Sequence, residues 1–152
     1  MIRSLLFFLV TAALAANSLR AQLTLPNQKP IVGARMPALS PDGKRLAFVY
    51  RGDIWTVASS GGRATPLTQH LETDAYPLFS PDGKWIAFLT FGKEIDPTDH
   101  PYYKQVYLRL MPIESGAARV IGYVYGGQGT LNVPSWSPDS RKLAFVSNSN
   151  LE

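Results

Sequence analysis

The 152-residue sequence has no cysteine and only two histidines, His70 and His100. Without cysteine there is no disulfide and no thiol for lipid attachment, so the folded chain relies on packing alone. Catalytic signatures are equally scarce. The sequence holds no G-x-S-x-G elbow, no H-E-x-x-H and no G-x-x-x-x-G-K-[ST] loop, and no nucleophile, base and oxyanion set can be assembled from its motifs. A non-catalytic chain without cofactor or metal is the expectation. Charge of one sign is also lacking: 15 Lys and Arg oppose 11 Asp and Glu, and they are scattered along the chain. Neither nucleic acid nor an anionic membrane is implied by that balance.

Long apolar runs are absent as well. The segment Leu5 to Ala16 has 12 residues, below the ~18 to 20 that span a bilayer. It follows Met1-Ile2-Arg3 and precedes the small-residue stretch "NSLRAQ", the order of charged, apolar and cleavage regions in a secretory signal. Residues 1–21 are therefore expected to be a signal peptide, cleaved after Ala15 or Ala21, with 22–35 as a lead-in. Loss of Arg3 and Arg20 with the leader would lower the net charge of +4 to about +2. The mature chain is expected to be periplasmic or secreted, with no stable membrane insertion.

What the sequence does contain is one phrase written three times. "PALSPDGKRLAFVY" starts at Pro37, "PLFSPDGKWIAFLT" at Pro77 and "PSWSPDSRKLAFVS" at Pro134. In each, Ser-Pro-Asp stands between two short apolar runs. Proline presets φ at the second position of a type I turn, Ser and Asp bond nearby backbone, and Gly relieves the exit. The run that follows is too short for a helix and rich in β-branched and aromatic residues, so each copy predicts a hairpin. The turns are Ser40-Pro41-Asp42-Gly43, Ser80-Pro81-Asp82-Gly83 and Ser137-Pro138-Asp139, the last with Ser140 in place of glycine.

Copies spaced by about 40 and then about 57 residues describe a repeating unit with an insertion in its second member. After the hairpin, "DIWTVA", "SSGG" and "ATPLT" in the first unit match "QVYLRLM", "ESG" and "AARVIG" in the second. Each unit is therefore four strands. The predicted fold is all-β, built from four-stranded antiparallel blades of a β-propeller. It is incomplete, with blade 1 at about 36–68, blade 2 at about 75–122 and half of a third at about 132–147. An open blade edge of this kind invites pairing or self-association.

The pattern P-x-x-S-P-D-G-K-x-[LI]-A-F, followed by Asp-Ile-Trp-Thr-Val and a Gly-Gly turn, resembles the WD-like "PD" propeller repeat of the periplasmic TolB proteins. It is similar also to repeats in the propeller domains of tricorn-type and prolyl-oligopeptidase-type peptidases. The resemblance runs from about Met36 to Ser147. It implies a propeller, and its function divides two ways: an exported module that binds a protein or peptide, of the cell envelope in TolB fashion, or the front end of a larger hydrolase, a peptidase or amidohydrolase.

The insertions direct attention to one end of the blades. Phe91 to Lys104 joins the second and third strands of blade 2, and Tyr123 to Leu131 leads into the next blade, so both expansions are expected on the end opposite the Ser-Pro-Asp turns. Long loops on a rigid scaffold commonly carry recognition. His100, Tyr102, Tyr103, Tyr123, Tyr125 and Gln128 are the candidate rim, and the same tyrosines could instead pack the loops onto the blade. "EIDPTDH", Glu94 to His100, lacks the ligand spacing of a metal loop and reads as solvated chain. "YGGQGT", Tyr125 to Thr130, lacks the lysine and helix of a phosphate cradle and reads as a connector.

Overall fold

The structure, a computed structural model, describes residues 29–95, 104–114, 116–126 and 135–147. Residues Met1–Pro30 form one unit and Ile31–Glu152 another; the leader expected at 1–21 lies outside the described residues. Within the second unit every described element is a strand. No helix among the described residues is long and apolar enough to cross a membrane.

The first blade is β1 (Arg35–Leu39), β2 (Arg45–Tyr50), β3 (Asp53–Ala58) and β4 (Thr65–Pro66), antiparallel in that order. The second repeats the order with β5 (Thr73–Phe79), β6 (Trp85–Phe91), β7 (Lys104–Pro112) and β8 (Arg119–Gly126). The third copy contributes only the short pair β9 (Ser135–Trp136) and β10 (Leu143–Ala144). Two blades and a partial third are thus present, as the repeats predict. One boundary differs: β8 continues through Gly126, so Tyr123 and Tyr125 belong to a strand and not to a connecting loop. The β7–β8 ladder carries an irregularity between Leu108 and Arg109 and keeps pairing to its end, Tyr107 opposite Tyr123 and Lys104 opposite Gly126.

The turns hold the register. In all three copies the residue after Asp donates its N–H to the Ser carbonyl, at 2.8 Å for Gly43 and 2.9 Å for Gly83 and Ser140. That residue has positive φ each time, 70° at both glycines and 60° at Ser140. Serine therefore accepts the left-handed conformation that glycine adopts freely, and the turn survives the substitution. The loop joining β2 to β3 is tighter still. Arg51 and Gly52 both have positive φ, the mark of a type I′ hairpin whose twist suits the flanking strands.

A second repeated device lies earlier in the phrase. Met36 and Tyr76, each just before the proline that opens a copy, have φ of 51° and 55°, and the first-strand pairing of each blade is irregular at this point. The Tyr76 N–H points at Met36 Sδ, 3.4 Å away, so the two bulges touch across the seam between blades.

Apolar residues on both faces of blade 2 find separate neighbours. Ile86, Phe88, Phe79, Met111 and Ile113 pack with Ala47 and Ile54 of blade 1. Leu89, Val106, Leu108 and Val124 form the second cluster, against which Leu143 of the third copy packs. Strand alternation sends successive side chains to opposite faces, and a central blade buries both.

Candidate functional site

Seam between the two complete blades opens, at the Ser-Pro-Asp end, into a groove of about 950 Å³. Blade 1 supplies Lys44, Arg45, Ala58, Arg63 and Thr65 to its walls; blade 2 supplies Asp82 and Glu114. The floor is apolar, made by Leu67, Phe79 and Ile113, residues that belong to or pack on the interblade core. Arg45 reaches Glu114 at 3.5 Å across the opening, a solvent-exposed pair of small energetic weight. The groove thus joins an apolar base to charged walls.

Serine and aspartate shape the groove's inner lip. Ser40 Oγ donates to Asp42 Oδ1 at 2.6 Å, Lys44 N–H donates to the same oxygen at 3.1 Å, and Arg45 N–H donates to Ser40 Oγ at 2.9 Å. The Ser80–Asp82 and Ser137–Asp139 turns repeat the pattern within 0.1 Å. Bonds from the serine hydroxyl, and then from the backbone N–H, hold the carboxyls of Asp42, Asp82 and Asp139 below the usual aspartate range. Each of these carboxylates is engaged by its own turn. Neighbouring turns also touch: Asp82 N–H donates to Ser140 Oγ at 2.9 Å.

At the opposite end the sequence-predicted rim is only partly within view. His100, Tyr102, Tyr103 and Gln128 lie outside the described residues. Tyr123 and Tyr125 stand on β8, 63% and 39% exposed. The Tyr123 ring meets Tyr107 edge-on at 5.7 Å, and the Arg109 guanidinium lies 5.8 Å from the Tyr107 ring centre. Those two tyrosines therefore form part of an outward strand surface.

The same end holds a polar cluster that motif reading passed over. Asp74 is fully buried, and its Oδ1 accepts from Thr90 Oγ1 at 2.7 Å. His70 Nε2 lies 3.1 Å from Asp74 Oδ2, but the alignment is not that of a hydrogen bond, and Oδ2 has no other partner among the described residues. His70 Nδ1 accepts from the Glu72 N–H at 3.2 Å. Glu72 Oε2 accepts from Arg109 Nη2 at 2.6 Å. Burial pushes the Asp74 carboxyl above the usual range, against the opposing pull of hydrogen bonds from Thr68 and Thr90 and the charges of His70 and Arg109. The signal in sequence was spacing alone: His70 on the β4–β5 linker and Asp74 at the start of β5 are four residues apart, which no motif describes. Among the described residues no three His, Cys, Asp or Glu side chains converge as a metal-ligand set.

Comparison with known proteins places the chain in a family. A model described as "Tricorn protease N-terminal beta propeller domain" matches residues 33–152. An uncharacterized protein of Agrobacterium fabrum is 33% identical over 114 residues, 72% of this chain and 38% of that protein. An uncharacterized peptidase of Bacillus subtilis is 35% identical over 131 residues, 80% of this chain and 18% of the peptidase. The chain therefore spans well under half the length of either relative. The crystal structure of TolB from Acinetobacter baumannii, 21% identical, superposes with a TM-score of 0.51 over 76% of this chain and 28% of that one, a likeness of fold. By the match across its repeats, this chain belongs to the family of the tricorn protease N-terminal beta propeller domain.

Proposed function

We propose that the chain is an exported, non-catalytic propeller module that binds an extended segment of a protein or peptide in the groove between its first two blades. The observation that carries this reading is the groove itself, with an apolar floor of Leu67, Phe79 and Ile113 between charged walls. An extended peptide can set alternate side chains on such a floor and leave its polar atoms to the walls. Export rests on the leader-like start of the sequence and on the resemblance to periplasmic TolB.

Ala58 and Thr65 line the groove and are exposed, so Ala58→Trp and Thr65→Trp fill it without disturbing the core. Fluorescence polarisation against a library of extended peptides should find binders whose affinity falls at least tenfold in both variants, with unchanged thermal unfolding. Tyr123→Ser serves as the comparison. Binders that survive the groove variants and are lost with Tyr123→Ser would move the site to β8.

The second reading, a front end that docks or gates substrate for a larger hydrolase, is favoured by the peptidase relative in which the matched region is 18% of the length. The sequence encoded after Glu152 separates the two: further blades followed by a stop support the binding module, and a nucleophile elbow or metal-ligand cluster supports the hydrolase.

A further inference from the structure

Asp74 is the one fully buried carboxylate among the described residues, and it sits where three elements of two blades meet. Its N–H donates to the Gly52 carbonyl at 2.7 Å, in the β2–β3 hairpin of blade 1. Its Oδ1 takes the Thr90 proton from β6. The linker running from β4 to β5 wraps this point, bringing His70 beside Oδ2 and tying itself through Glu72 to Arg109 on β7. Thr68, also on the linker, accepts the Ile54 N–H at 2.9 Å. Two polar atoms are left buried without a hydrogen-bond partner here, Asp74 Oδ2 and Arg109 Nε. A buried polar group left unsatisfied destabilises the arrangement that holds it, so a network incomplete in two places is sensitive to the charge at its centre.

The charged and titratable groups around the carboxyl are few. The linker brings His70 and Glu72, β7 brings Arg109 and Tyr107, and the hairpin brings exposed Arg51 and, behind Thr68, Asp53. His70 and Arg109 are the charges that act on Asp74. Arg109 is already drawn toward Glu72 at 2.6 Å, which leaves the buried carboxylate short of compensation when ionised.

We propose that Asp74, His70, Glu72 and Arg109 form a proton-operated clasp on the interblade linker: the proton taken up or lost at Asp74 resets how the linker and the β2–β3 hairpin seat against blade 2. The sign follows from the burial. The neutral carboxyl suits the folded state, so its contribution is fully present below the unfolded pKa of ~3.9 and disappears as pH rises through the higher folded value. This clasp lies at the opposite end of the blades from the groove and does not depend on what the groove binds.

The direct measurement is a pH titration of the full chain by NMR, following side-chain carboxyl carbons and backbone amides. Asp74 should titrate at higher pH than Asp42, Asp82 and Asp139, and the amides of Thr68, Glu72 and Asp74 should move with the same midpoint. Arg109→Gln, by removing a cation that favours the ionised form, should raise that midpoint further. In Asp74→Asn the shared transition of the linker amides should vanish. A carboxyl at position 74 that titrates with or below the turn aspartates overturns the clasp, as do linker amides indifferent to its titration or a midpoint lowered by Arg109→Gln. The wild-type titration decides the matter even where a variant fails to fold.

Discussion

Blades 1 and 2 share their words and differ in their surroundings. Leu39 and Phe79 occupy the same place before the Ser-Pro-Asp turn, yet Leu39 is 58% exposed and Phe79 is 6% exposed. Leu46 and Ile86 likewise correspond, the first half-buried and the second wholly buried. Blade 2 has blade 1 on one face and part of the third copy on the other. Repetition therefore dictates the strand and the turn, while position in the array decides how much apolar area each copy removes from water.

That comparison can be broken most sharply at the matched pair. Phe79→Ala should cost ~3–5 kcal/mol, the range for truncating a buried aromatic, and Leu39→Ala no more than ~0.5 kcal/mol, as at an exposed site. Chemical denaturation of the two variants measures both. Equal losses would mean that the sequence position, and not the neighbouring blade, sets the contribution.

The turns sharpen the same point on a smaller scale. Ser80 is fully buried, whereas Ser137, with the same bonds, is in an exposed turn. Ser80→Ala leaves the Trp85 N–H without its acceptor and should cost ~1–3 kcal/mol; Ser137→Ala should cost less than half as much, read from the shift in thermal midpoint. Gly43→Ala and Gly83→Ala come next. An added Cβ meets nothing within 4 Å at Gly43 and only Pro41 Cδ at 3.7 Å from Gly83, so both should lose about 1 kcal/mol from backbone strain alone. A much larger loss at Gly83 would reveal a packing demand beyond the left-handed φ.

The smallest expected effect concerns acid. Serine hydroxyls lower the carboxyls of Asp42, Asp82 and Asp139, so the turn aspartates stabilise the fold above the ordinary aspartate pKa and lose that contribution as pH falls through their lower folded values. Asp82→Asn should flatten the acid limb of a pH–stability curve below about pH 4 and leave neutral behaviour nearly unchanged. Steepening at that limb would contradict the assigned direction.

How much of this was written in the sequence follows a physical divide. The hairpins were legible because Ser, Pro, Asp and Gly act on their own backbone within a few residues, and Asp53–Ala58 formed the strand that its place in the repeat forecast. The end of β8 was not, because Gly122, Tyr123 and Gly126 resemble a loop until Tyr107 and Lys104 pair with them across the sheet. The groove was illegible too, since its walls come from residues such as Arg63 and Glu114 that meet only when blades pack. Asp74 needed Thr90, Gly52 and His70 from separate segments before its burial could be recognised.

The bulges at Met36 and Tyr76 carry a consequence for synthesis. Tyr76 rests its N–H on the thioether of the preceding copy, and β5 approaches β1, β2 and β3 of a sheet already complete in the chain before it. A ribosome making this protein from its N-terminus delivers the strands of blade 1 before those of blade 2, so each new blade meets a neighbour already translated. The nascent chain then grows as a spiral staircase does, every step bearing on the one laid before it.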